Sequence, residues 1–215
     1  MNSMHDRAKE HFPTILLTLL SIVQALALEL LWSHIIEQGA LYEWSFAALL
    51  SWVQILATLI GIVLIWVVYA SNVMRFSWVP SISDTVVPFV VGLLEFSLVA
   101  LLGVSTIGWW MIVMALIFAI MNWIAHSTMR RARYDSDNEA FFRGREPAQW
   151  SDFYAEALII GLLAVIGAGI QWSGDESVFA MLAVTATLCL LIWQYLQNAG
   201  FWERSVGENP ESAPN

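Results

Sequence analysis

The chain has 215 residues, 59% hydrophobic and only 13% charged, with a formal net charge of −9. Soluble domains carry about 45–50% apolar and about 25% charged residues, so the balance is that of a membrane protein. The acidic charge, with no basic stripe away from membrane-flanking positions, excludes nucleic acid as a partner. A single cysteine, Cys189, excludes an internal disulfide.

The chain begins with a polar stretch, Met1–Glu10, and the apolar run after it has no small-residue cleavage site. It reads as a retained first helix and not as a signal peptide. Six apolar stretches follow one another at about 12–36, 44–70, 84–104, 107–128, 153–172 and 177–199. Each exceeds the ~17–20 residues that cross hydrocarbon as a helix. Pro13 suits a first helical turn. Asp84 and Asp152, each preceded by Ser, are predicted N-terminal caps of the third and fifth helices. Gly39, Gly103 and Gly174 fall where helices end. The fold class is all-α: a polytopic integral membrane protein of six transmembrane helices over residues 1–204, with a disordered tail at 205–215.

Orientation follows from the basic residues. Arg7 and Lys9 precede the first span, Arg75 follows the second and Arg204 the sixth. Arg130, Arg131, Arg133, Arg143 and Arg145 follow the fourth, so all nine basic residues share one side. The other side carries Glu37, Glu43, Asp175 and Glu176. Both termini are therefore expected in the cytoplasm of a cell bounded by a plasma or bacterial inner membrane. The one long loop, 129–150, mixes charges with Phe141–Phe142, as an amphipathic segment at the inner surface would. Trp66, Trp123 and Trp193 recur just before polar helix ends, a pattern that three tandem parallel hairpins would produce.

The third stretch holds a carboxylate near its centre. Asp84, Pro88, Gly92, Glu95, Val99 and Gly103 fall at steps of four and three and share one helical face. A charge at that depth costs roughly 2.5–3.5 kcal/mol on insertion scales, so Glu95 is expected to face a wet interior. Similar small or polar stripes run along the other spans. They are Thr14–Thr18–Ser21–Ala25–Glu29, Ser51–Gln54–Thr58–Gly61–Ile65–Asn72 and Ala115–Ala119–Asn122–His126–Arg130. The fifth and sixth spans give Ala157–Gly161–Ala164–Ala168, edged by Glu156, and Ala180–Ala183–Thr187–Leu191–Gln194–Asn198. Helix packing alone accounts for most of these residues.

The carboxylates call for more. A cavity floored by Glu95, walled by Asn122 and His126, with Asn72, Asp84 and Gln194 near its opening, would offset the burial of charge. Glu29, Glu95 and Glu156 at staggered depths could pass protons or a cation, because an apolar setting favours the neutral acid. His34 and Glu37, three residues apart, supply two ligands and no complete metal site. The lone lysine, Lys9, lies outside every span, and no paired histidines, phosphate loop or Gly-x-Ser-x-Gly elbow occurs. No cofactor is expected, and nothing in the chain points to catalysis. Two readings remain: a channel or carrier for a small cation, proton or polar solute, or a structural or regulatory subunit, able to self-associate. In the second, Arg130, Arg131 and Arg133 would bind anionic headgroups.

Overall fold

A computed structural model describes residues 4–79, 81–144, 146–174 and 178–207. Arg145, Asp175, Glu176 and the tail from 208 onward lie outside the described residues. Every regular element described is helical: α1 (Met4–Glu37), α2 (Phe46–Arg75), α3 (Val87–Ala100), α4 (Ile107–Ala132), α5 (Glu139–Phe142), α6 (Tyr154–Ser173) and α7 (Val178–Gly207), with short 3-10 turns preceding α2 to α6. Five helical stretches are long and apolar enough to cross a bilayer: Asp6–Glu37, Phe46–Arg75, Val104–Ala132, Ser151–Ser173 and Val178–Glu203. Their outward faces stay apolar, with Ile22, Leu158, Val165 and Leu182 exposed. Such a surface is compatible with integration in a membrane.

The third stretch departs from expectation. Its α-helix has 14 residues, about 21 Å at 1.5 Å per residue. Gly103, at φ +142°, cannot continue the helix. Gln54 of α2 takes up the backbone groups freed there: its amide donates to the Leu101 carbonyl at 3.2 Å, and its carbonyl accepts from Gly103 N–H at 3.0 Å. Gln54 lies eight residues into α2, so the turn sits about 12 Å inside the end of that helix. Irregular backbone at such depth survives only where protein satisfies it. One layer further in, the buried Trp110 indole donates to Thr58 Oγ1 at 2.9 Å.

Neither aspartate caps its helix. The cap of α3 is Val86, and Asp84 instead accepts from Ser81 N–H and pairs both oxygens with Arg131, at 2.8 and 2.9 Å. A guanidinium fork offers two charge-assisted bonds where a cap offers one. Asp152 accepts from Gln149 N–H within a 3-10 turn that precedes α6. The C-terminal expectation for α6 holds: Gly174 adopts φ +63° and its N–H returns to the Ile170 carbonyl.

The long loop folds as a cap over one end of the bundle. Phe76, Trp78 and Ala132 form a small second core, against which Phe141 and Phe142 pack. Asn138 is its keystone. The amide donates to the Ser77 and Ala132 carbonyls at 2.6 and 2.8 Å, and its oxygen accepts from Ser77 N–H. Lys9 at the start of α1 reaches Asp135 and Asp137, each at 2.6 Å. Arg75 lies over the rings of Phe76, Phe141 and Phe201. Thus the start of α1 and the ends of α2, α4 and α7 meet at one basic end. Asn138→Ala strips three bonds from this cap, and its expected cost is about 2 kcal/mol, read as a lower unfolding midpoint in detergent.

Of three successive hairpins, α1 with α2 and α3 with α4 do pack, but the two largest pairings join α4 to α6 and α2 to α7. α1 packs on α2 and α3, α6 on α4, and α7 on α2, while α6 and α7 touch only marginally. Glycines set the α4–α6 pairing: a Cβ on Gly108 would lie 2.5 Å from the Gly167 carbonyl oxygen, and one on Gly167 2.7 Å from that of Gly108. The two backbones are in direct contact, and the pair is antiparallel.

Candidate functional site

Glu95 lies on α3 where that helix meets α1. The predicted face is the buried one, with Pro88, Gly92, Glu95 and Val99 all shielded. Glu95 has 0% exposure. Gly92 lets the helices close, since any side chain there would collide with Val23. The next residue along α1, Gln24, is 5% exposed, and its Nε2 donates to Glu95 Oε1 at 2.6 Å. Two oxygens of this pair, Glu95 Oε2 and Gln24 Oε1, are shielded and make no hydrogen bond within the protein. Glu95 has no ion pair among the described residues. One carboxylate and one amide thus leave two shielded, unmatched acceptors in the α1–α3 interface, midway along α1.

The site expected from sequence is divided in the structure. Asn122 and His126 do line a cavity, of about 500 Å³, but it lies between α4 and the start of α6, bounded also by Trp123, Arg130, Gln149 and Phe153. Glu95 is not among its walls. The His126 ring meets Phe153 edge-on at 4.7 Å between centroids. Two further cavities, of about 400 Å³ beside Lys9 and Arg131 and about 230 Å³ between the ends of α2 and α7, also lack Glu95. None of these three cavities is lined by Glu95, which is closed against Gln24.

The remaining candidates stand apart from Glu95. Glu29 and Glu156 are exposed, and Asn72 and Gln194 are half-buried. Asp84 is engaged by Arg131. Arg133 donates to the Glu146 carbonyl and lies over Phe142. Of the three predicted headgroup ligands, Arg130 alone is exposed without a hydrogen bond or ion pair among the described residues.

Gln24 went unseen in the sequence because it falls off the Thr–Ser stripe chosen for α1. That stripe is outward or half-buried, and the shielded face carries Leu16, Leu20, Val23, Gln24, Ala27 and Leu31. A long amide at i, flanked at i−4, i−1, i+3 and i+7 by large apolar residues and alanine, was the available signal.

Comparison with known families, with curated proteins and with solved structures finds no match to this chain.

Proposed function

We propose that the protein is a membrane carrier for a proton or a small cation, held between Glu95 and Gln24. The observation that supports this reading is the pair of shielded oxygens, Glu95 Oε2 and Gln24 Oε1, facing no donor. An isolated carboxylate in hydrocarbon is costly. A proton or a dehydrated cation at these oxygens removes the charge and satisfies both acceptors together. A channel needs a continuous wet path, whereas a site closed on all sides fits a carrier that exposes it to each face in turn.

In this reading α3 joins the five longer helices as a sixth, short crossing within a single unit, 1–204. The basic end faces the cytoplasm of a plasma or bacterial inner membrane, with both termini there.

Flux into proteoliposomes, followed separately for protons, sodium and potassium, tests the proposal. Glu95→Gln keeps the shape and removes the charge, and should abolish flux of the ion that the parent moves. Gln24→Leu removes one charge-assisted hydrogen bond, worth about 1.5 kcal/mol, and should weaken apparent affinity by about tenfold. A parent that moves none of these ions, or a Glu95→Gln variant as active as the parent, rejects the carrier. The reading as a structural or regulatory subunit then stands, supported by the unpaired Arg130 at the edge of an open cleft.

A further inference from the structure

The cleft between α4 and α6 has a shape and polarity of its own, independent of Glu95. Direct backbone contact at Gly108 and Gly167 pins one end of the helix pair. Toward the other end a cavity of about 500 Å³ opens between them, within the range of small-molecule sites. Ala119, Asn122, His126 and Arg130 line it at steps of three and four along α4. From Arg130 to Ala119 the wall covers about 16 Å, more than the depth of one interfacial layer, so it passes from headgroups into hydrocarbon.

Chemistry changes along that wall in one direction. The deep end is Ala119, Ala157 and Ile160; the middle is Asn122 and His126; the mouth is Arg130. Arg130 is exposed and free of any partner among the described residues, whereas its neighbour Arg131 is consumed by Asp84. An unpaired cation above polar hydrogen-bonding groups, above an apolar slot, matches an amphiphile with an anionic head and a hydrocarbon tail. A soluble anion would leave the apolar depth unfilled, and a zwitterionic lipid would leave the Arg130 charge without its net opposite.

We propose that the α4–α6 cleft is a binding site for an anionic membrane phospholipid, with the headgroup on Arg130 and one acyl chain between Ala119 and Ala157. Phosphatidylglycerol and phosphatidylcholine, offered to the full-length protein in detergent and counted by native mass spectrometry, are the probes. The parent should retain phosphatidylglycerol preferentially. Arg130→Gln should reduce that preference about fivefold, the share of one basic residue at an anionic surface, with phosphatidylcholine unaffected. Ala157→Phe fills the slot from an exposed position, and should remove binding of both lipids at unchanged melting temperature. Arg143→Gln, at the same end but outside the cleft, should behave as the parent. Equal losses in Arg130→Gln and Arg143→Gln would reduce the effect to general surface charge and overturn the site. So would undiminished binding in Ala157→Phe, or displacement of the phospholipid by inorganic phosphate alone.

Discussion

Gly108→Ala should lower the stability of the detergent-solubilised protein by about 3 kcal/mol, the upper end of overpacking costs. The added methyl would lie 2.5 Å from the Gly167 carbonyl oxygen, 2.6 Å from Gln171 Cβ and 2.7 Å from Gln171 N. Two of these are backbone atoms, which no rotamer change can move, so the α4 and α6 axes must part. That interface is the most extensive between any two helices of the bundle, and separating it forfeits many dispersion contacts at once. Gly161 on α6 supplies the opposite sign. Nothing lies within 4 Å of a Cβ there, so Gly161→Ala should stabilise α6 by roughly 0.5–1 kcal/mol through helix propensity alone. Thermal unfolding of the two variants beside the parent decides the matter, with midpoints moving in opposite directions. A Gly108→Ala midpoint equal to the parent's would mean that the α4–α6 contact is looser than described.

That pairing was not legible in the sequence, for a reason specific to membranes. In a soluble helix the outward face must be polar, which fixes rotation about the axis. Lipid tails are as apolar as leucine, so hydropathy marks the span and leaves its rotation open. Only residues with a strong reason to be inside break the degeneracy. Glu95 did so for α3, whose predicted face is the buried one, and Gln54 and Thr58 did so for α2. On α7 the small stripe Ala180, Ala183, Thr187 and Leu191 is likewise shielded. On α1 Thr18 and Ser21 bond the carbonyls of Thr14 and Leu17 on their own helix, and Ser21 Oγ also accepts from Trp66 Nε1 of α2 at 3.0 Å. Such back-bonding satisfies them against lipid as well as against protein. On α6 Ala157, Gly161 and Ala168 are exposed, and the buried positions are Leu163, Gly167 and Ile170, of which Gly167 meets the α4 backbone.

The candidate site was half legible for the same reason. That Glu95 is internal follows from its charge. Its partner depends on which helix lies beside α3, and nothing in hydropathy specifies neighbours. Asn122, His126 and Arg130 line a cleft together with Phe153 and Ala157, and Glu95 is not among the residues lining it. Asp84 and Arg131, 47 residues apart, show the limit from the other side. Local patterning favours a cap at Ser-Asp, and a distant guanidinium takes the carboxylate instead.

Gln54→Leu should cost about 2–3 kcal/mol, although leucine is better suited to hydrocarbon than glutamine. Leucine matches the volume but offers neither donor nor acceptor. The Leu101 carbonyl would keep its bond from Thr106 Oγ1 at 2.9 Å, while Gly103 N–H would lose its acceptor. A shielded amide without a partner costs about 1–3 kcal/mol. Gly103 holds φ +142°, so the turn cannot refold into helix to satisfy itself without rebuilding the α3–α4 connection. Hydrogen exchange across 101–106 should therefore accelerate in Gln54→Leu, while the Asn138 cap at the opposite end keeps its protection. Thr58→Val provides the calibration, because it removes the acceptor of Trp110 Nε1 and the donor to the Gln54 carbonyl and leaves both bonds from the Gln54 side chain to the turn intact. If Gln54→Leu proves as stable as the parent and exchange at 101–106 is unchanged, the side chain of Gln54 is not what holds α3 short, and the break must be assigned to Gly103 alone.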